Sequence, residues 1–382
     1  MQRSIQFLLA ILGSSGIQAQ HTDTLRFHSA AFDAEREVVV HLPEFHRYAA
    51  PEVRMPVIIL LDGQHDWLVG PLLNDIRYLQ YTHEVPQAIV VTVPHVDRVR
   101  ECATDSVDQP SMPLLRMLTA ELPTLLAPYH PSDIQVLVGH SFSSSFALYA
   151  YLQAPDAFNA VIALSPLHQV KEAMPRVAEL LEVRPNDRVL VAVGGPQRLK
   201  DGGHAERLAP VMERLGKDPG HGRLLYRDYP SAGHTSLPVI AFPELLSTLF
   251  LPFSVRDSLV PVNDEYKLVT PAPPAQDLLR MAEASNRFLG GSLPWEVAEI
   301  NGIASRLWSS DELEQTIAVY RKGIELYPKL YEFHWALGEL LLETDPQRAH
   351  ASLRTALELL DTEERELPER MEIRGEIEGL MR

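Results

Sequence analysis

Cysteine is almost missing from this chain: Cys102 is the only one in 382 residues. No intrachain disulfide can form, so the fold has to be held by its core. At this length a large core and two or three domains are available. Positive charge is also short, with 34 Lys and Arg against 51 Asp and Glu and a formal net charge of −17. There is no basic stripe, and affinity for a phosphate backbone comes chiefly from basic side chains, so nucleic acid is excluded as a partner. No H-E-x-x-H or other metal-ligand spacing occurs, and neither a metal nor a dissociable cofactor is expected. Beyond the N-terminus, no stretch reads as long and apolar enough for a transmembrane anchor.

What is present begins with an export signal. Arg3 supplies a positive start, and Ile5 to Leu12 ("IQFLLAIL") form an apolar run too short to span a bilayer. A cleavage site follows Ala19, with Ile17 at the −3 position. No cysteine follows the run, which argues against lipid attachment there. Residues 1–19 are therefore expected to be a signal peptide, and the protein to be periplasmic or secreted in a bacterium. A buried N-terminal helix is the alternative.

Between about residues 35 and 250, short β-rich runs alternate with helical patterns, which predicts an α/β fold with a largely parallel sheet. The runs are "REVVVHLP", "PVIILLDG", "QAIVVTVP", "IQVLVGHS", "AVIALSP", "RVLVAVGG" and "RLLYRDYP". The inner ones are apolar throughout, as strands buried on both faces should be. Ser111 to Tyr129 and Ser143 to Pro155 supply crossover helices. The pattern then changes: residues 253–276 contain the Pro-rich "TPAPPAQ", a semi-rigid spacer by composition. Residues 277–382 read as helical. Within them Thr316 to Pro328 and Ala349 to Asp361 match at an offset of 33 residues, pairing Tyr320 with Leu353, Gly323 with Ala356 and Ile324 with Leu357. With "WALGELL" between them this resembles the tetratricopeptide pattern of paired helices. Two units are too few to stand alone, so they should pack on the first domain or on another chain, and they offer a site for a protein partner. A plain helical hairpin tail is the alternative.

The chemistry centres on "DIQVLVGHSFSSSFALYAYL", Asp133 to Leu152. A buried strand runs into Gly139-His140-Ser141-Phe142-Ser143, and a helix follows. That is the context of a G-x-S-x-G nucleophile elbow, except that Ser143 stands at the second glycine. The turn is sharp and needs small neighbours, so that the serine projects above the sheet and the next main-chain N–H faces the reacting carbonyl oxygen. Gly139 meets that demand, and Ser143 is larger but still small. A base is expected after the last strand, where "RLLYRDYPSAGHTSLP" puts His234 behind Gly233. An orienting acid should follow "RVLVAVGG"; Asp201 and Glu206 are the nearest carboxylates, and Asp201 is the candidate. The oxyanion donors would be the Phe142 main-chain N–H and that of Gln64, after the Asp62-Gly63 turn. His140, inside the elbow, reads as a variable position, and His204 and His221 as loop residues.

Five colinear segments of residues 25–250 together resemble the esterase D-like branch of the α/β-hydrolases, which includes the enterochelin esterases. They are "SAAFDAEREVVVHLPEFHRY", "VIILLDGQHDW", "VTVPHVDRVRECATD", "VGHSFSSSFALYAYLQAPDAFNAVIALSP" and "YPSAGHTSLP". The resemblance implies an α/β-hydrolase sheet flanked by helices over residues 20–252, with a small all-α tetratricopeptide-like domain at 277–382. It carries the nucleophile onto Ser141, the base onto His234, and the oxyanion donors onto the Phe142 and Gln64 main chain. Two departures stand out. Ser143 and Ser144 replace Gly-Gly after the nucleophile, and Gln197 stands where many relatives have an acid, although some relatives work with a Ser–His dyad.

The expected activity is hydrolysis of a small-molecule carboxylic ester through an acyl-enzyme on Ser141, without a cofactor. Two alternatives stay open. One is a non-catalytic envelope scaffold that binds a partner through the helical repeats. The other is an acyltransferase with the same nucleophile.

Overall fold

Residues 21–104, 112–195, 202–216, 220, 222–363 and 367–382 are described by a computed structural model. The expected signal peptide, Gln197, Asp201 and His221 lie outside the described residues.

Alternating exposure marks the first two strands, β1 (Thr22–Ser29) and β2 (Ala34–His41), which pair antiparallel at one edge of the sheet. Continuous apolar runs make the inner strands. Every residue of β3 (Met55–Leu61), β4 (Ile89–Val93) and β6 (Ala160–Leu164) is buried, as a parallel sheet covered on both faces requires. With β5 (Pro131–His140), β7 (Arg188–Gly194) and β8 (Leu224–Tyr229) they complete an eight-stranded sheet, in the order β1-β2-β4-β3-β5-β6-β7-β8. From β4 to β8 all neighbours are parallel, and β2 meets β4 antiparallel. This is the expected α/β-hydrolase sheet. The seven expected runs are β2 to β8, and β1 is the strand the sequence reading did not anticipate.

Successive residues of β3 serve opposite faces. Val57, Ile59 and Leu61 join one core with Phe146, Leu148 and Tyr149 of the helix Phe142–Gln153. Ile58 and Leu60 join a second core with the helices Asp66–Tyr81 and Leu237–Phe250. One expectation needs correcting here. The run Leu237–Leu259 is long and apolar enough to cross a membrane, with mean hydropathy 1.5. Its apolarity serves the sheet: Leu237, Ala241, Phe242, Leu245, Leu246, Leu249 and Phe250 are all buried against it.

After the sheet domain, the helices Val297–Ser309, Leu313–Leu326, Tyr331–Leu341 and Pro346–Leu360 follow one another. The pairs at offset 33 share their burial: Tyr320 and Leu353 are both buried, as are Gly323 and Ala356. Small residues let adjacent helices approach, since a Cβ on Gly338 would sit 2.7 Å from the Leu353 side chain. The segment after Leu251 packs on these helices. Val255, Leu259 and Val260 are buried, and the Arg256 guanidinium pairs with Glu299 at 2.8 Å. Direct bonds join the helices to the sheet domain. Leu326 accepts from the Ala50 N–H at 2.8 Å, and Glu363 accepts from the Tyr48 hydroxyl at 2.8 Å. Glu296 accepts from the Gln87 N–H.

Candidate active site

The end of β5 turns into its helix through one residue in an unusual conformation. Ser141 has φ 60° and ψ −118°, a region that a side-chain-bearing residue occupies only when its surroundings enforce it. The enforcement is visible. The Ser141 N–H donates to the Leu164 carbonyl at 2.9 Å, and its carbonyl accepts from the Ser145 N–H at 3.1 Å and the Ser144 hydroxyl at 2.7 Å. Gly139 is required, because a Cβ there would lie 2.5 Å from the main-chain carbon and oxygen of Ser143. The strand and helix thus close on each other at the residue the elbow pattern assigns to glycine.

His234 reaches the same point from the loop after β8. Its Nε2 lies 2.9 Å from Ser141 Oγ, within the range for proton transfer between a hydroxyl and a base. The loop is pinned on both sides. Gly195 N–H donates to Ala232 at 3.0 Å, and the Ser236 hydroxyl accepts from Gly233 N–H at 2.9 Å. Gly195 is another close approach, as a Cβ there would meet the Pro230 carbonyl oxygen at 2.0 Å. His140 adds a third hold: its Nε2 lies 2.9 Å from the His234 carbonyl, so that nitrogen carries the proton and donates. Burial pushes the His140 pKa down to about 4, against the opposing effect of the His234 carbonyl. The ring therefore stays neutral and keeps donating at ordinary pH. The His140 ring centroid lies 4.8 Å from that of His234 and 6.0 Å from that of Trp67, which is half-exposed at the rim.

The turn after β3 faces the elbow. Asp62 has φ 67°, and the Gly63 N–H donates to Val93 at 2.9 Å. A Cβ on Gly63 would lie 2.7 Å from Pro94 N. The Gln64 side chain accepts from the His95 N–H at 2.8 Å, which fixes the loop from its far side. Among the described residues, neither the Gln64 nor the Phe142 main-chain N–H has an acceptor within the chain.

Beneath this surface lies a buried network of charges. Arg98 binds both carboxylate oxygens of Asp62, one of them at 3.0 Å, and reaches the His140 carbonyl at 2.7 Å. Ser143 Oγ donates to Asp62 at 2.6 Å. Burial alone would raise the Asp62 pKa, but the Arg98 guanidinium and the Ser143 hydroxyl outweigh it, and the net shift is downward. His95 Nδ1 lies 3.1 Å from Glu101, whose carboxylate also takes two bonds of 2.8 Å from Arg36. Cys102 Sγ sits 3.6 Å from His95 Nε2, and burial pushes its thiol pKa up, so it is not a reactive thiol.

Of the residues expected from sequence, Ser141, His234, Phe142 and Gln64 come together. Asp201 and Gln197 fall outside the described residues, so no acid partner of His234 is assigned from them. Glu206 is exposed on the helix Gly202–Leu215. His204, read as a loop residue, lies on that same helix with its ring 6.1 Å from that of His234. Sequence reasoning missed three contributors. His140 looked variable because the elbow pattern leaves its position open. Asp62 looked like an ordinary turn residue. Arg98 lay within a segment of the resemblance but was given no role, because its partner is 36 residues away.

A mostly parallel eight-stranded sheet, with a serine on a left-handed turn after its central strand and a histidine at hydrogen-bond distance, defines an α/β-hydrolase fold. The comparisons agree and go one step further. Residues 29–213 match the model of the family described as "Putative esterase", and that segment is similar to the carboxylic ester hydrolases. No curated protein matches it. Among solved structures, an IroE-like serine hydrolase from Shewanella oneidensis superposes with a TM-score of 0.58 at 17% identity, over 79% of this chain and 98% of that one. An uncharacterised protein from Capnocytophaga ochracea gives 0.55 at 16% identity, over 94% of this chain and all (100%) of its own. The BES protein from Bacillus cereus gives 0.50 at 19% identity, over 61% and 97%. At such identities these structures speak to the fold.

Proposed function

We propose that this chain hydrolyses a small-molecule carboxylic ester by way of an acyl-enzyme on Ser141. The observation that carries the reading is the 2.9 Å approach of His234 Nε2 to Ser141 Oγ, on a serine held at φ 60°. Ser141 Oγ attacks the ester carbonyl carbon while His234 Nε2 takes the hydroxyl proton. The carbonyl oxygen becomes an oxyanion, held by the Phe142 and Gln64 main-chain N–H groups. Collapse of the intermediate expels the alcohol, which takes the proton back from His234. Water, deprotonated by the same ring, then attacks the acyl-enzyme and releases the acid. Asp201 is the proposed orienting acid, with a Ser141–His234 dyad as the simpler form of the same mechanism.

The finer organisation belongs to the same proposal. Residues 1–19 direct export to the periplasm or medium, 20–252 form the hydrolase domain, 253–276 connect it, and 277–382 form a tetratricopeptide-like domain for a protein partner.

Intact-mass labelling of the mature protein with a fluorophosphonate tests the mechanism. One adduct is expected on the wild type and none on Ser141→Ala. Labelling of His234→Ala should slow by about 10²-fold or more, the usual contribution of a positioned base. A wild type that takes no adduct removes the serine mechanism. Product analysis with added alcohols checks hydrolysis against acyl transfer; free acid as the main product supports hydrolysis.

A further inference from the structure

Ser143 stands where the elbow pattern has its second glycine. A serine there looks like a mild steric defect, but the atoms around it give it a task. The close approach of strand and helix is met by Gly139, and the Ser143 side chain points away from that contact into the polar layer below, fully buried. Its Oγ accepts from the His140 N–H at 2.8 Å and lies 2.6 Å from Asp62 Oδ2 and 2.9 Å from the His140 carbonyl. A hydroxyl has one proton to give. The His140 carbonyl already takes an N–H from Arg98 at 2.7 Å, and the carboxylate is the closer and stronger acceptor. The proton therefore goes to Asp62.

The result is a closed circuit. His140 N–H donates to Ser143, Ser143 donates to Asp62, Arg98 donates to Asp62, and Arg98 donates to the His140 carbonyl. Both main-chain groups of the residue before the nucleophile are tied to one carboxylate. That carboxylate belongs to the first residue of the Asp62-Gly63-Gln64 turn, which presents one of the two proposed oxyanion donors. Glycine at position 143 would open the circuit, leaving the buried His140 N–H without its acceptor.

We propose that Ser143 is a positioning residue that locks the nucleophile elbow to the oxyanion turn through Asp62, setting the separation of the Phe142 and Gln64 N–H groups. The inference rests on the serine-esterase reading above and deepens it. Because those donors act on an oxyanion that exists only after attack, a shift between them should weaken transition-state binding and leave ground-state binding alone. A displacement of about 1 Å at a reacting centre typically costs about 10²-fold.

The test is steady-state hydrolysis of p-nitrophenyl acetate and butyrate by wild type, Ser143→Gly and Ser143→Ala, with folding followed by circular dichroism. In each variant kcat should fall by about 10- to 100-fold, with KM within about twofold. Affinity for a trifluoromethyl ketone, which forms a tetrahedral oxyanion on Ser141, should fall in parallel with kcat. If glycine prevents folding, alanine, nearer to serine in volume, carries the test. In an Asp62→Asn background Ser143→Ala should add less than about threefold, because two residues acting through one network are not additive. A folded Ser143→Gly or Ser143→Ala with wild-type kcat and ketone affinity overturns the proposal, as does full additivity with Asp62→Asn. A wild type inert to both the esters and a fluorophosphonate removes the esterase mechanism and this inference with it. An active wild type beside an equally active Ser143→Gly removes this inference alone.

Discussion

Asp62 and Glu296 are both carboxylates hidden from water, and their pKa values move in opposite directions. Asp62, under the elbow, is fully buried and lowered. Glu296, in the seam between the sheet domain and the helices, is 3% exposed and raised to about 8. Burial pushes both upward. Under the elbow a guanidinium and a hydroxyl reverse the push. In the seam the Gln87 N–H opposes it only in part, and the nearby Glu299 adds to it. The cation there, Arg256, pairs directly with Glu299 and only weakly opposes the push on Glu296. Burial alone does not decide the state of a carboxylate; the partners supplied with it do. Near the proposed nucleophile the chain keeps a charge and saturates it with bonds that orient main-chain groups. In the seam it holds a carboxyl that is neutral at pH 7 and serves as an acceptor.

The comparison can be broken most forcefully at Asp62. Asp62→Asn removes the charge that Arg98 was placed to meet. Taking one partner from a buried pair costs about 3–5 kcal/mol, and the partial exposure of Arg98 puts the expectation near the lower end, about 3 kcal/mol. Urea unfolding would measure it, and a loss below about 1 kcal/mol would mean the pair holds little together. Next comes Gly139→Ala, whose Cβ would lie 2.5 Å from Ser143 main-chain atoms. Overpacking there should cost about 1–3 kcal/mol and lower esterase turnover as well, since the strain falls on the elbow.

pH should separate the two regions from opposite sides. The Glu296 pKa is raised from 4.5 to about 8 on folding, so between these values the folded state holds the proton that the unfolded state has lost. Stability from this group is present at low pH and drains away as pH rises toward 8. Glu296→Gln keeps an acceptor for the Gln87 N–H without a charge. Its melting temperature should exceed wild type at pH 9, by about 1 kcal/mol or more in stability, and should vary less between pH 6.5 and 9. On the acid side His140, down from 6.5 to about 4, resists the proton that the unfolded chain accepts. It therefore costs stability as pH falls from 6.5 toward 4. Asp62, lowered from 3.8, adds a loss at still lower pH, as its carboxylate is finally protonated. Glu296→Gln should leave this acid limb unchanged below about pH 4.5, where Glu296 is protonated in both states. The smallest effect is expected at Lys322, whose pairs with Glu283 and Glu325 are at the surface. Lys322→Ala should change unfolding free energy by no more than about 0.5 kcal/mol, and a larger loss would mean that surface pairs bear on the helices as buried ones do on the elbow.

Much of the sheet was legible because parallel strands buried on both faces must be apolar at every position. Such runs as Val57 to Leu61 and Ile89 to Val91 read directly from the chain. β1 was not legible for the opposite reason: Thr22 to Ser29 alternates and sits at an antiparallel edge, where polar residues are as welcome as apolar ones. Ser141, Phe142 and Gly139 are neighbours in sequence, so local steric demands wrote the elbow pattern in one place. His234 could be proposed because the loop after the last strand has a fixed position in the fold. His140, Asp62 and Arg98 could not be given roles in the same way, since each works through a partner brought near only by the crossing of β3, β4 and β5.

By itself, then, the sequence determined the α/β architecture, the strand-to-helix turn bearing a serine, and a charge balance unsuited to nucleic acid. These depend on residue type and short-range spacing, where steric and hydrophobic preferences act along the chain. Only the tertiary structure decided that His234 meets Ser141 at 2.9 Å, that Ser143 faces Asp62, and that Glu296 is buried with its one main-chain donor. Those outcomes depend on distances between segments far apart in the chain. Hydrogen bonds and desolvation act across such distances only after the sheet has brought the segments together.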